Sequence, residues 1–99
     1  MKSLTIVGRR WFQRSYGNTY HTATVYVDGV CIGKTSRQYG YGDQFVQSGF
    51  ELLESKGYLD ACPREKYVHG GAEPPWVWAP RHGITYAYEV IDVTRERDL

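Results

Sequence analysis

Apolar and polar positions alternate with period two over Ser3–Gln13, where Leu4 and Ile6 fall on one side of an extended chain and Thr5 and Val7 on the other. The alternation predicts a first strand, with Gly8 as a bulge at which it could switch faces. Ser15-Tyr-Gly-Asn18 predicts a turn, because Gly17 and Asn18 both tolerate positive φ. Thr19–Val27 follows as the clearest strand, rich in β-branched and aromatic residues. Ala23, Val25 and Val27 share one side of it, and Tyr20, Thr22, Thr24 and Tyr26 the other. Asp28-Gly29 is a two-residue hairpin signal leading into a third strand over Val30–Thr35.

The period then changes. After Tyr39-Gly-Tyr-Gly42, apolar positions recur at helical spacing, with Phe45, Gly49, Leu52 and Lys56 in one row and Val46, Phe50 and Leu53 beside it. This predicts one long helix, with Asp43 as its N-cap and Gly57 as a left-handed C′ residue. In residues 58–83, Pro63, Gly70, Gly71, Pro74 and Pro75 forbid a long element. Glu73–Ala79 predicts one short helical turn, which Pro80 should stop. Ile84–Val93 alternates again as a fourth strand, and the charged residues 94–99 are expected to fray. The order β-β-β-α-short α-β predicts an α+β fold, an antiparallel sheet of about four strands with one main helix on one face.

Composition narrows the picture. Ninety-nine residues suit a single domain spanning 1–99, and 41% hydrophobic content excludes wholesale disorder. A 15% aromatic share places much of the apolar surface on residues that pack with one end and hydrogen-bond with the other. The net charge of +1 hides an asymmetry: residues 1–40 hold six Lys and Arg against the single Asp28, and residues 41–99 hold six against ten acids. A polyanion should therefore meet the β-rich end first. Two cysteines, Cys31 and Cys62, are too few for a disulfide scaffold and predict reduced thiols in a cytosolic protein, Cys31 in a core strand. The N-terminal stretch lacks a signal-peptide apolar region, and no run is long enough to span a membrane.

Several chemistries fail on spacing. Gly29-Val-Cys-Ile-Gly33-Lys34-Thr35 has three residues between its glycines where a phosphate loop needs four, and no helix follows. Cys31, Cys62, His69 and His82 contain no pair at structural-zinc spacing. Nothing in the sequence places either thiol in an electropositive pocket, and Glu51 with Glu54 reads as a solvated helix face. No catalytic signature is present, so a non-enzymatic protein without a cofactor is expected.

Two stretches remain. Tyr39, Gly40 and Tyr41 precede a helix N-terminus, where glycine admits a ligand to the backbone and tyrosine can stack on a base. Arg9-Arg10-Trp11-Phe12-Gln13-Arg14 is the stronger candidate, because alternation puts Arg9 and Trp11 on the face away from Leu4 and Ile6. With Tyr20 they would form an arginine-aromatic surface on the uncovered side of the sheet. Guanidinium groups bind phosphates and aromatic rings stack on bases, as a nucleotide binder requires. The same face could instead be buried between copies of the chain, since aromatic-rich faces mark interfaces, and a symmetric dimer or larger closed oligomer is expected.

The blocks Trp11-Phe-Gln-Arg-Ser-Tyr-Gly-Asn-Thr-Tyr-His21, Tyr39-Gly-Tyr-Gly-Asp-Gln-Phe45 and Trp76-Val-Trp-Ala-Pro-Arg-His-Gly-Ile84 resemble short proteins encoded by bacteriophages and related elements. The resemblance implies a protein acting in the cytoplasm of an infected bacterium, where small phage proteins act against host immune pathways. The expected function is sequestration of a phosphate-bearing nucleotide signal by Arg9, Arg10, Trp11, Arg14, Tyr20, Tyr39, Gly40 and Tyr41. The alternatives are binding of single-stranded nucleic acid and protein-only inhibition of a host defence complex, in the manner of an anti-CRISPR.

Overall fold

The computed structural model describes residues 1–67 and 71–99. Strand β1 (Ser3–Gln13) and strand β2 (Asn18–Val27) form a long antiparallel hairpin, in register from Leu4 opposite Val27 to Gln13 opposite Asn18. Alternation therefore runs unbroken through Gly8, which is not a bulge. The irregularity lies instead in the β2–β3 pair, between Val25 and Tyr26. Asp28 (φ 50°) and Gly29 (φ 81°) make the predicted tight turn into β3 (Val30–Lys34). The Asp28 carboxylate accepts main-chain N–H bonds from Lys2 at 2.7 Å and Ser3 at 2.9 Å, which hold its pKa below the ordinary range. A two-residue strand, β4 (Gln38–Tyr39), continues the edge along β2 where β3 leaves it.

Helix α1 (Gln44–Ser55) lies across one face of the sheet. Its Phe45, Val46, Gly49, Phe50 and Leu53 are buried with Leu4, Ile6, Ala23 and Val25 of the strands. Two glycines allow this approach. A Cβ on Gly8 would sit 2.3 Å from the Phe45 ring, and one on Gly49 would sit 2.8 Å from the Ile6 side chain. Leu52 is half-buried at the edge of this core. Gly57 ends the helix with φ 82°, as predicted. Asp43 stands at the N-cap, but its φ of −95° and ψ of 19° leave the extended region a cap uses, and its carboxylate makes no capping bond.

A small hairpin of β5 (Lys66–Tyr67) and β6 (Gly71–Ala72), which the sequence pattern did not suggest, precedes helix α2 (Pro75–Arg81). Pro80 does not stop α2, since a proline there forfeits only one main-chain bond and the turn continues to Arg81. Trp78 anchors this helix: its ring lies 5.2 Å from that of Phe50, and its indole N–H donates to the Cys62 carbonyl at 2.7 Å.

The last strand, β7 (Thr85–Val93), pairs with β1 in parallel, from Ser3 beside Thr85 to Trp11 beside Val93. The main sheet thus has five strands in the order β3-β2-β1-β7, with β4 also on β2, and it is mixed rather than antiparallel. Hairpin turns impose antiparallel neighbours, whereas the long connection through α1 and α2 is a crossover that lets β7 return in the direction of β1. The fold class remains α+β.

Candidate functional site

With α1 on one face, the other face presents Arg9 and Trp11 from β1 beside Thr22 and Tyr20 from β2, because these residues are register partners. The Trp11 and Tyr20 rings stack at 5.9 Å and 25°. Tyr39 on β4 meets the Tyr20 ring edge-on at 5.8 Å. The Arg37 guanidinium lies 5.0 Å from the Tyr20 ring centroid, within cation–π range. Of the residues expected to bind ligand, the fold brings Arg9, Trp11, Tyr20 and Tyr39 together.

Arg10 goes elsewhere, because successive strand residues point to opposite faces. Its guanidinium donates to the two Asp92 carboxylate oxygens at 2.8 and 3.1 Å and to the Gly42 carbonyl at 3.1 Å, on the helix side. The hydrogen bond between them raises Arg10 and lowers Asp92 from their ordinary pKa values. Arg14 lies beside Trp11, Phe12 and Val93 at the far end of β1, around a separate depression of about 370 Å³. Gly40 gives its carbonyl to His21 Nδ1 at 3.1 Å, and Tyr41 is exposed without a ring partner among the described residues.

The C-terminal residues, expected to fray, instead form a 3-10 turn (Glu96–Asp98) above the outer face. Polar anchors hold it there. Arg9 donates to the Asp98 carbonyl at 2.9 Å, Lys34 to the Leu99 main-chain oxygen at 2.8 Å, and Arg37 pairs with the Glu96 carboxylate. Within the turn, Arg95 pairs with Asp98 at 3.0 Å. Between this turn and the β3–β4 edge lies an open basin of about 910 Å³, with Thr22 at its floor and Lys34, Thr35, Arg37, Arg95, Glu96 and Arg97 around it. Thr22 is only 4% exposed, and its hydroxyl has no hydrogen-bond partner among the described residues.

Sequence reasoning missed Lys34, Arg37, Arg95 and Arg97 as site residues. Arg95 and Arg97 belong to a charged tail that no pattern ties to a strand 60 residues earlier, and only the fold juxtaposes them with Lys34 and Arg37.

The other candidates separate. His21 Nε2 lies 2.7 Å from Ser48 Oγ, which lies 3.0 Å from Gln38 Oε1. This resembles a nucleophile–base pair, but both residues are buried, so it fastens the β4 segment to α1 and reaches no substrate. Cys31 is exposed on the short strand β3 rather than in the core, and both cysteines are free thiols. His82 packs its ring 5.5 Å from Trp78, while His69 lies outside the described residues. No group of three or more His, Cys, Asp or Glu is placed to hold a metal ion among the described residues. No helix among the described residues is long and apolar enough to cross a membrane.

No protein-family model, characterised protein or solved structure matches the chain.

Proposed function

We propose that the chain is a non-enzymatic binding protein that holds a phosphate-bearing nucleotide on the outer face of its sheet. The base lies against Trp11, Tyr20 and Tyr39, and Arg9 and Arg37 meet the phosphate. The observation that carries this reading is the Trp11–Tyr20 stack with the Arg37 guanidinium 5.0 Å from the Tyr20 ring, which sets a stacking platform beside a cation. The resemblance to phage proteins supplies the role: sequestration of a nucleotide immune signal in the cytoplasm of an infected bacterium. The expected homo-oligomer has its support in Tyr39 and Ile91, exposed on the outer face, and light scattering above the 11.4 kDa chain mass would establish it.

The second reading, a single-stranded nucleic-acid binder, is favoured by the outward extension of the aromatic row. Tyr39 is 65% exposed beside the Tyr20 ring, so a neighbouring base has a surface to meet.

The test is equilibrium dialysis against a panel of cyclic and ADP-ribose-type nucleotides, followed by heating to release what is held. Recovery of intact nucleotide supports sequestration, and recovery of an altered one means catalysis. Stacking on an aromatic side chain contributes about 1–3 kcal/mol per base, so Trp11→Ala should weaken retention by roughly tenfold or more. No depletion of any nucleotide, with oligonucleotide binding that falls steeply with salt, would replace the first reading by the second.

A further inference from the structure

We propose that the basin beside the aromatic stack is a subsite for two adjacent phosphoryl groups, so that the ligand class is a pyrophosphate-bearing small molecule. This deepens the nucleotide reading and rests on it for the source of the phosphates. The subsite itself can be tested with an inorganic probe.

Thr22 gives the first ground. A hydroxyl buried without a partner is uncommon in a folded protein and calls for a group to satisfy it. Its place at the floor of a cationic basin matches a ligand oxygen that accepts its proton.

The second ground is how the cations are used. Arg37 holds the Glu96 carboxylate, Arg9 the Asp98 carbonyl, and Lys34 the Leu99 main-chain oxygen. These oxygens are internal stand-ins for ligand oxygens, and they mark where anionic groups can be met. Arg97 lines the same basin and makes no hydrogen bond or ion pair among the described residues. Its charge is available to a ligand.

Charge and size then set the ligand class. Of the four cations that line the basin, Lys34 is held by Leu99 and Arg95 by Asp98, so Arg97 and, once Glu96 is displaced, Arg37 are the two left to meet a ligand. A guanidinium takes a phosphoryl group bidentately, so these two arginines suit two neighbouring phosphoryl groups, one on each. A volume of about 910 Å³ admits both with room for the esterified remainder to reach Tyr20 past Arg37, which belongs to both places. The ligand has to displace Glu96 from Arg37, so the turn competes with it.

Isothermal titration calorimetry of the full chain with inorganic pyrophosphate and with orthophosphate, at matched ionic strength, tests the subsite. Pyrophosphate should bind one-to-one and at least about tenfold more tightly than orthophosphate. Thr22→Val should weaken pyrophosphate about tenfold while leaving the melting temperature unchanged or slightly higher, because the hydroxyl it removes is unpartnered in the free protein. Arg97→Glu should abolish binding. Glu96→Gln should tighten it, a result that a merely structural role for the turn would not give. Absence of pyrophosphate binding, or equal affinity in wild type, Thr22→Val and Arg97→Glu, overturns the subsite. If nucleotide retention still depends on Trp11 in that case, the subsite fails and the broader reading stands. Pyrophosphate binding without retention of any nucleotide supports the subsite and removes its nucleotide source.

Discussion

Glu73 is 1% exposed, and a carboxylate so enclosed persists in its charged form only with partners. Arg81 supplies two bonds, Nε to Oε2 at 2.9 Å and Nη2 to Oε1 at 2.7 Å, and the Glu65 main-chain N–H adds a longer one at 3.4 Å. The Arg81 bonds hold the Glu73 pKa below the usual carboxylate range, against the opposing pull of burial. A folded pKa below the unfolded one contributes stability above the unfolded value, and this is lost as pH falls through the folded value. Glu73→Gln should therefore lower the melting temperature at neutral pH, and the gap from wild type should close as the solution is acidified below about pH 4. Melting curves that stay parallel across that range would show that the carboxylate's charge contributes nothing. The sequence placed Glu73 at the head of a short turn but carried no sign of its partner. Gly8 was equally opaque, because a glycine in an alternating strand reads as a bulge until the Phe45 ring is seen against it.

At the scale of elements, period was the dependable signal. The strand over Ser3–Gln13 formed with the expected bounds, and the Asp28-Gly29 turn formed as its residue types require. Helix α1 buries most of the stripe its spacing defined, but its axis is turned so that Leu53, not Leu52, sits in the centre. Periodicity gives an apolar sector, and only the sheet beneath decides which of two adjacent leucines lies at its middle. Leu53→Ala should cost about 2–5 kcal/mol in urea unfolding, as a fully enclosed leucine does. Leu52→Ala should cost clearly less, since half-exposed Leu52 leaves a gap that water can enter. Equal losses in the two variants would mean that the helix is rotated relative to this packing. The outer face was legible for the same reason: alternation alone placed Arg9, Trp11 and Tyr20 on one side. It could not place Arg10 there as well, and Arg10 pairs with Asp92 on the other side.

Strand direction and the position of the C-terminal turn belong to the whole molecule, and no local pattern encodes either. β1 is the centre of the assembly, hydrogen-bonded to β2 antiparallel on one side and to β7 parallel on the other. Its two neighbours come from opposite ends of the chain, so closing the sheet brings residues about 80 positions apart into register. The outer-face site depends on that closure, because Arg95, Glu96 and Arg97 reach the basin only once β7 has docked along β1. Native-state hydrogen exchange reads this dependence directly. If the sheet opens as one unit, β1 amides that face β7 should exchange as slowly as those that face β2, while the two-residue strand β4 opens first. Exchange that is orders of magnitude faster on the β7-facing half of β1 would make β7 a separately opening unit. The basin would then form and dissolve with that strand, and its ligand affinity would carry the cost of docking it.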